Sequence, residues 1–297
     1  MGADAPLDRA HSSLDGLSVG DAFGECLFHD QQGIEVRLVP PPRWVTTDDT
    51  EMAIAVVDVL RRHGAIEEEA LANAFARRHS VDPYRGYGPG AHDVLRAIHS
   101  GRSWKDAAAE AFGGRGSMGN GSAMRVAPVG AYFADDEERL IEEAKKSATV
   151  THAHPDGQAG AIAVAAAAGW AARGGGEAVG LFDTVLAATP PGPTRDAIAK
   201  TSKLQLDSDP LAVALEVGAG WNTLCADTVP FCLWVVARHS NDFCEALWTT
   251  VSVPGDRDTN CAIVGGVVAS LTGRDGIPDD WLKSREPLRH DLDLSGD

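Results

Sequence analysis

The sequence has little positive charge. Lysine and arginine together number 26 against 43 aspartates and glutamates, which gives a formal net charge of −17 over 297 residues. A chain this acidic lacks the basic surface that binds nucleic acid or an anionic membrane without sequence specificity. We therefore expect neither as a bulk partner, and a small anionic ligand would need local cations.

Cysteine motifs and long apolar runs are also lacking. The five cysteines are odd in number, show no Cys-x-x-Cys spacing and mostly lie in apolar segments, which favours reduced thiols in the core. The N-terminus has no basic segment followed by an apolar one, and the alanine-rich run 159–172 is interrupted by Gly169. Neither a secretion signal nor a membrane span is predicted, so we expect a cytoplasmic protein.

Alternating strand-like patterns rich in valine, isoleucine and threonine are scarce, whereas apolar stretches of helical length recur between glycine and proline clusters. The hydrophobic fraction of 44% is too high for a disordered chain. We predict an all-α protein with a single domain over 1–297, a core from about 14 to 271, and charged ends at 1–6 and 285–297 that fray. The clearest candidate helices are 49–63, 67–78, 91–99, 136–149, 156–172, 211–219, 228–239 and 259–271.

The first candidate functional motif is Thr47-Asp48-Asp49-Thr50, which directly precedes an amphipathic helix. Two adjacent carboxylates flanked by hydroxyls offer only oxygen ligands, which suit Mg²⁺, Mn²⁺ or Ca²⁺ better than zinc. The simpler interpretation is an N-cap with an acidic first turn, which the helix dipole favours. For this motif alone the N-cap is the commoner case.

A second acidic segment, with Asp256, Arg257, Asp258 and Thr259, precedes another apolar helix. If the two helix starts meet, four carboxylates offset the charge of two divalent ions, and a bridging water has a lowered pKa. Two N-caps would not need four aspartates, so the pair of motifs favours a two-metal site. The adjacent glycines at 265–266 permit this helix to pack closely against a neighbour, or are a detail of the fold without bearing on chemistry.

These residues resemble the ADP-ribosylglycohydrolase family, which includes the dinitrogenase reductase-activating glycohydrolases and the ADP-ribosyl-acceptor hydrolases. The resemblance runs from about 14 to 271 and rests on five segments in the family's order. Each segment is weak alone, but the ordered set is specific. The segments are 16–24 (GLSVGDAFG), 47–50 (TDDT), 119–125 (GNGSAMR), 151–152 (TH) and 255–259 (GDRDT).

The resemblance implies an all-helical orthogonal bundle that holds two Mg²⁺ ions, or Mn²⁺, and removes ADP-ribose from a modified acceptor. We expect a monomer acting on an ADP-ribosylated protein, with arginine as the first acceptor to consider. The alternatives are a serine ester, an O-acyl-ADP-ribose or a nucleobase as acceptor, or a non-catalytic ADP-ribose-binding or crystallin-like relative. Asp48 and Asp49 are also the candidate catalytic residues, because they would hold the attacking water. The metal ligands carried over are Thr47, Asp48, Asp49, Asp256, Asp258 and Thr259.

Two positions depart from the family pattern. Arg257 stands between the last two aspartates, where relatives commonly have threonine, and it either points outward or reaches a substrate phosphate. Many relatives carry a glutamate four residues after Gly24, where this chain has Phe28. Glu25 is therefore a provisional catalytic acid, or an unrelated surface residue.

The substrate is expected along the glycine-rich segment of Gly119, Asn120, Gly121 and Ser122, whose small residues can bring backbone N–H groups close to an anion. An ordinary surface loop is the simpler interpretation. The resemblance implies that the segment lines the diphosphate and the distal ribose. Met124 and Arg125 follow it and complete the candidate binding set, although structural pairing is the commoner fate of such an arginine.

Two further segments are candidate substrate contacts. By resemblance, His152 contacts the nucleotide, whereas His154 has weaker support; neither is predicted to bind metal, because no third ligand lies at a zinc-like spacing. The loop 82–90 combines Tyr84 and Tyr87 with several glycines. These tyrosines are candidates to stack on the substrate or cover it, and a plain connector is an equal alternative.

Overall fold

The computed structural model describes residues 5–290, and this part of the chain is built from α-helices. It contains sixteen α-helices and, within the same residues, isolated β-bridges but no strand, which confirms the all-α prediction. In chain order the helices are α1 Ala5–Cys26, α2 Gln31–Glu35, α3 Asp48–His63, α4 Glu68–Val81, α5 Pro89–His99, α6 Trp104–Gly114, α7 Ala127–Tyr132, α8 Glu137–Thr149, α9 Pro155–Ala172, α10 Ala178–Ala188, α11 Pro193–Thr201, α12 Pro210–Val217, α13 Cys225–His239, α14 Phe243–Val251, α15 Arg257–Thr272 and α16 Asp279–Ser284.

All eight helices predicted from the sequence are present, with ends displaced by a few residues. Helix α3 shows why these predictions succeed. Its N-cap Thr47 accepts the N–H of Asp49, three basic residues occupy its last turn, and Gly64 ends it with a φ of 64°. Local signals at both ends therefore agree with the apolar stripe between them.

The longest helix, α1, was not among the predicted helices. It carries glycine at 16, 20 and 24, and glycine disfavours a helix interior. These glycines let α1 contact the backbone of α15: an added Cβ would lie 2.4 Å from the Gly265 carbonyl oxygen at Gly16 and 2.1 Å from the Cys261 carbonyl oxygen at Gly20. The close packing expected at Gly265 is thus observed, and it joins the first helix to the fifteenth.

The alanine-rich helix α9 is buried on nearly all sides, and α7, α8, α10, α13 and α15 pack around it.

No helix within residues 5–290 is both long and apolar enough to cross a membrane. The five cysteines carry free thiols, as predicted, and three of them are fully buried. The core is thus apolar and closely packed around α1, α9 and α15.

The segment after α16 is hydrogen-bonded to the chain that precedes α3. The N–H of Trp44 donates to the Ser284 carbonyl (2.7 Å), and the N–H of Glu286 donates to the Trp44 carbonyl (2.9 Å). At the other end, Ala5 already begins α1. Within the described residues the two charged ends thus contain the start of α1 and a segment hydrogen-bonded to Trp44, and fraying of the ends stays a prediction. The remainder of both predicted ends, 1–4 and 291–297, lies outside the described residues.

Candidate metal centre and substrate cleft

The two acidic helix starts meet beside α1. Carboxylate oxygens of Asp49 at the start of α3, Asp258 at the start of α15 and Asp21 on α1 all lie within 4.8 Å of one another. Asp48 and Asp256 stand next to this cluster and line the adjoining cleft. The structure therefore brings together the corners that the sequence showed separately, and it adds Asp21, which was not a predicted ligand.

Asp21 is buried and organises the first turn of α3. One of its carboxylate oxygens accepts the hydroxyl of Thr47 (2.7 Å), and the other accepts the N–H of Thr47 (2.9 Å) and both the N–H (3.2 Å) and the hydroxyl of Thr50. These contacts hold the hydroxyl of Thr47 between Asp21 and Asp49, 2.9 Å from the latter. The threonines of the motif thus connect two carboxylates of the cluster.

The cluster has oxygen atoms that still need a partner. The Oδ1 atoms of Asp49 and Asp258 are buried and find no hydrogen-bond donor among residues 5–290. Buried polar atoms are normally satisfied, so these oxygens indicate a missing cationic partner. Carboxylates and hydroxyls without sulfur or imidazole suit a hard divalent cation such as Mg²⁺ or Mn²⁺. The residues present therefore fit the metal that the sequence predicted.

Electrostatics point the same way. Burial raises the pKa of Asp21 to about 6, and burial together with the charge of Asp21 raises the pKa of Asp48 to about 8. The pKa values of Asp49 and Asp258 also lie well above the ordinary range, because both groups are buried beside other carboxylates. In the absence of a cation the ionised groups repel one another, and a bound divalent ion offsets that repulsion.

The remaining predicted ligands lie at the same place. Thr47 is the N-cap of α3, Asp256 is the N-cap of α15, and buried Thr259 lines the cleft beside it. The side-chain amide of Asn120 donates to Asp256 (2.7 Å) and to Thr228 (3.0 Å). Asn120 therefore ties the glycine-rich segment to the acidic corner, a role that the sequence did not predict.

A cleft of about 360 Å³ opens next to the aspartates. Most of the predicted substrate-binding residues line it, together with part of the 82–90 loop and residues that were not predicted. The predicted residues in its wall are Gly119, Asn120, Gly121, Met124, Arg125 and His152, and the additional ones include Gly86, Gly88, Ala111, Phe112, Ser117 and Thr223.

His152 stands against the glycine-rich segment. An added Cβ at Gly121 would lie 3.3 Å from its ring, a tight contact, whereas at Gly119 it would lie 3.6 Å from the ring, an ordinary contact. Burial, together with the nearby Arg125, lowers the pKa of His152 to about 3, and the ring is neutral at pH 7. His154 instead caps α9 by accepting the N–H of Asp156 (3.0 Å).

Arg125 holds the segment in place. Its guanidinium donates to the carbonyls of Gly121 (2.9 Å) and Ser147 (2.9 Å) and to the hydroxyl of Thr151 (2.8 Å), and it lies 4.4 Å from the centre of the Phe75 ring. Burial lowers its pKa to about 9. Arg125 thus makes the structural pairing rather than offering a free cation to the substrate, and it lies at the back wall of the cleft.

Three predicted substrate contacts do not reach the cleft. Ser122 is buried and donates its hydroxyl to the Gly157 carbonyl (2.6 Å). Tyr84 is 94% exposed, whereas Tyr87 is buried with its ring edge-on to His79, 4.9 Å between centres. The loop nevertheless covers the site through its backbone: the Arg85 carbonyl accepts the N–H of Asp48 (2.7 Å), and Gly86 adopts a φ of 91° beside the Asp48 carboxylate. The loop with the two tyrosines therefore lies at the cleft, but its backbone rather than its aromatic rings faces Asp48.

The two departures from the family pattern are neighbours in space. Arg257 turns away from the cleft and donates to the carbonyls of Phe28 (2.8 Å), Leu27 (3.3 Å) and Val253 (3.2 Å) and to Gln31 (3.2 Å), so it does not reach a substrate phosphate. Glu25 is exposed near the end of α1 and is not part of the cleft wall. The structure therefore does not bring the provisional acid to the site.

Comparison with known proteins shows which proteins the chain resembles. A protein-family model described as ADP-ribosylglycohydrolase matches residues 3–295. Similar proteins include ADP-ribosylhydrolase ARH3 of Bos taurus, 30% identical over 96% of this chain and 90% of that protein, and ADP-ribosylhydrolase ARH3 of Homo sapiens, 29% identical over 96% and 91%. ADP-ribosylarginine hydrolase Tri1 of Pseudomonas putida (strain GB-1) is 26% identical over 93% and 74%. A solved structure described as an ADP-ribosylglycohydrolase-related protein complex has the same fold, with a TM-score of 0.70, 22% identity and coverage of 95% and 94%.

Proposed function

Because the chain belongs to the ADP-ribosylglycohydrolase family, we propose that it is a hydrolase that uses two divalent cations, Mg²⁺ or Mn²⁺, to release ADP-ribose from a modified acceptor. One observation carries the proposal: the unpartnered oxygens of Asp49 and Asp258 converge with Asp21 beside a cleft that Asp258 lines. That arrangement is costly for a protein without a cation to bind.

The proposed ligands are the predicted set together with Asp21. A bound divalent cation supplies Lewis-acid stabilisation and lowers the pKa of a water molecule. Asp48 lines the cleft, whereas Asp49 does not, so Asp48 is the better placed of the two to accept a proton from the attacking water. The full set of proposed ligands is Asp21, Thr47, Asp48, Asp49, Asp256, Asp258 and Thr259.

The other end of the cleft would hold the nucleotide. Gly119 and Gly121 leave room for an anion to approach the backbone, and Arg125 behind them keeps the segment fixed. The neutral ring of His152 can exchange hydrogen bonds with ADP-ribose without the cost of a buried charge. These residues bind and orient the ligand, and the acidic corner acts on its distal ribose.

For the acceptor we propose an arginine side chain on a protein. The Pseudomonas putida relative is named for ADP-ribosylarginine, which supports this choice over serine, O-acyl and nucleobase acceptors. The net charge of −17 favours approach of a cationic guanidinium rather than an acidic acceptor.

The test is release of free ADP-ribose, measured by mass spectrometry, from arginine-, serine- and nucleobase-linked ADP-ribose and from O-acyl-ADP-ribose in Mg²⁺. We expect release from the arginine-linked substrate, loss of release in EDTA and in Asp48→Ala and Asp256→Ala, and full release in Asp183→Ala, which changes an exposed aspartate of α10. Release from another member alone would replace the proposed acceptor. No release from any member, with metal-dependent binding of ADP-ribose retained, would identify a non-catalytic binder and direct attention to Phe28.

A further inference from the structure

The segment that follows α16 lies against the chain that enters α3. Its residue Glu286 donates its N–H to the Trp44 carbonyl (2.9 Å), and its Oε1 accepts the N–H (2.9 Å) and the hydroxyl (2.8 Å) of Thr46. Thr46 immediately precedes the N-cap residue of α3. The Glu286 side chain is only 20% exposed, so water competes weakly for these bonds.

The same carboxylate oxygen also receives a guanidinium. Nη1 of Arg85 donates to Oε1 of Glu286 and to the Thr46 carbonyl (2.8 Å), and its Nε donates to Asp82 (2.8 Å). The Arg85 side chain is 8% exposed. Charge-assisted bonds between partly buried groups are stronger and better oriented than those on the surface.

These contacts converge on Asp48 from two sides. Thr46 precedes Thr47 and Asp48 in the chain, and the carbonyl of Arg85 accepts the N–H of Asp48 (2.7 Å). Gly86, next to Arg85, lies so close that an added Cβ would stand 3.4 Å from a carboxylate oxygen of Asp48. One oxygen of Glu286 therefore fixes both the segment that enters α3 and the loop that lies over its first turn.

We infer that Glu286 is a positioning residue, which acts through Arg85 to hold the 82–90 loop over Asp48 and thereby sets substrate affinity at the cleft. The effect on affinity rests on the proposed function, whereas the effect on the loop does not. Glu286, which follows α16, thus positions residues of the site without lining the cleft itself.

The test compares Glu286→Ala and Glu286→Gln with Glu245→Gln. The control removes another arginine–glutamate pair, in which Arg37 donates to Glu245 at 2.6 and 3.0 Å outside the cleft. We expect faster amide hydrogen exchange in 82–90 and a kcat/KM lower by on the order of tenfold, mainly through KM, in both Glu286 variants. The control should match the wild type in both measurements.

Arg85→Ala alone and combined with Glu286→Ala completes the design. If Glu286 acts through Arg85, the double variant loses no more kcat/KM than the more impaired of the two single variants, because the two residues act as one unit. Multiplying losses, or unchanged exchange in 82–90 when Glu286 is replaced, would overturn the inference. Glu286→Gln carries the test if Glu286→Ala does not fold. A wild type that releases no ADP-ribose would refute the proposed function, and hydrogen exchange would still decide the role of Glu286.

Discussion

Thr50 donates both its backbone N–H and its hydroxyl to the same carboxylate oxygen of Asp21. This double contact fixes the first turn of α3 to α1. The Asp49 carboxylate in that turn lies within 4.8 Å of carboxylate oxygens of Asp21 on α1 and Asp258 on α15. Asp21 both fixes the start of α3 and contributes an oxygen to the aspartate cluster. Even a substitution that keeps the shape of its side chain is therefore expected to impair the site.

Asp21→Asn is expected to abolish the rise in melting temperature caused by Mg²⁺ and to lower ADP-ribose release by at least about tenfold. The amide keeps the shape of the side chain, but its NH₂ group cannot accept from Thr47 or Thr50 and cannot bind a cation. Thermal unfolding across a Mg²⁺ titration checks the first effect. Asp15→Asn is the control on the same helix, since Asp15 pairs with Arg274 and Arg285. A normal Mg²⁺ response in Asp21→Asn would remove Asp21 from the ligand set.

The metal-free protein should lose stability as the pH rises from 7 to 8.5. The pKa of Asp48 is about 8 in the folded state, above its ordinary value of about 3.9 in an unfolded chain. A raised folded pKa contributes stability that is complete below the unfolded value and is lost as the pH rises through the folded value. Below pH 7 the buried neutral His152 acts in the opposite direction, because its folded pKa is lowered to about 3.

Melting temperatures in EDTA test this pH dependence, with Asp48→Asn as the control that should make the slope shallower, since the raised pKa values of Asp49 and Asp258 contribute the rest. Saturating Mg²⁺ should flatten it as well, because a cation favours the ionised carboxylates. A slope that is the same with EDTA and with Mg²⁺ would argue against a cation beside Asp48.

Gly20→Ala should destabilise the protein by at least about 1–3 kcal/mol, because its methyl group would lie 2.1 Å from the Cys261 carbonyl oxygen and force α1 and α15 apart. It should also weaken Mg²⁺ binding by moving Asp21. Urea denaturation measures the first effect. Gly180→Ala is the matched helical control: its nearest neighbour would be 3.6 Å away, so it should be neutral or stabilising by up to about 1 kcal/mol.

Arg257→Ala should lower stability by about 1–2 kcal/mol and release the turn after α1, because the Phe28 carbonyl loses its donor and the Leu27 carbonyl keeps only the N–H of Asp30. Limited proteolysis with chymotrypsin should then cut faster after Phe28. Arg43→Ala changes an exposed arginine and should leave cleavage unchanged. An unaltered cleavage rate in Arg257→Ala would show that the turn is held by other contacts.

The sequence predicts those elements whose signals are local. Helices such as α3 combine an apolar stripe with caps, and both acidic corners are contiguous motifs at helix starts. Helix α1 has neither advantage, since residues 16–24 are buried on every face and contain three glycines. The spacing of Gly16, Gly20 and Gly24 was the available signal, because glycine every four residues marks one helix face that a second backbone approaches.

The site residues likewise divide into those that contiguous motifs predict and those that only the fold brings together. Asp21 lies in the segment 16–24, one of the five that carry the family resemblance, but only the contact between α1 and α15 shows that it faces Asp49 and Asp258. Tyr84 is predicted from what its side chain can do and Ser122 from its place in the glycine-rich segment, and a sequence does not show which way a loop side chain points. Glu286 was assigned to a fraying end because its partners, Thr46 and Arg85, are remote in the chain.

The contact between Arg257 and Leu27 joins residues 230 positions apart in the chain. At a synthesis rate of roughly 5–20 residues per second, α1 emerges from the ribosome more than about ten seconds before α15 does. Throughout that interval the glycine face of α1 has no partner and Asp21 has no companion from the second acidic corner. The aspartate cluster is therefore completed only late in translation, and a nascent chain that stops before α15 lacks Asp258.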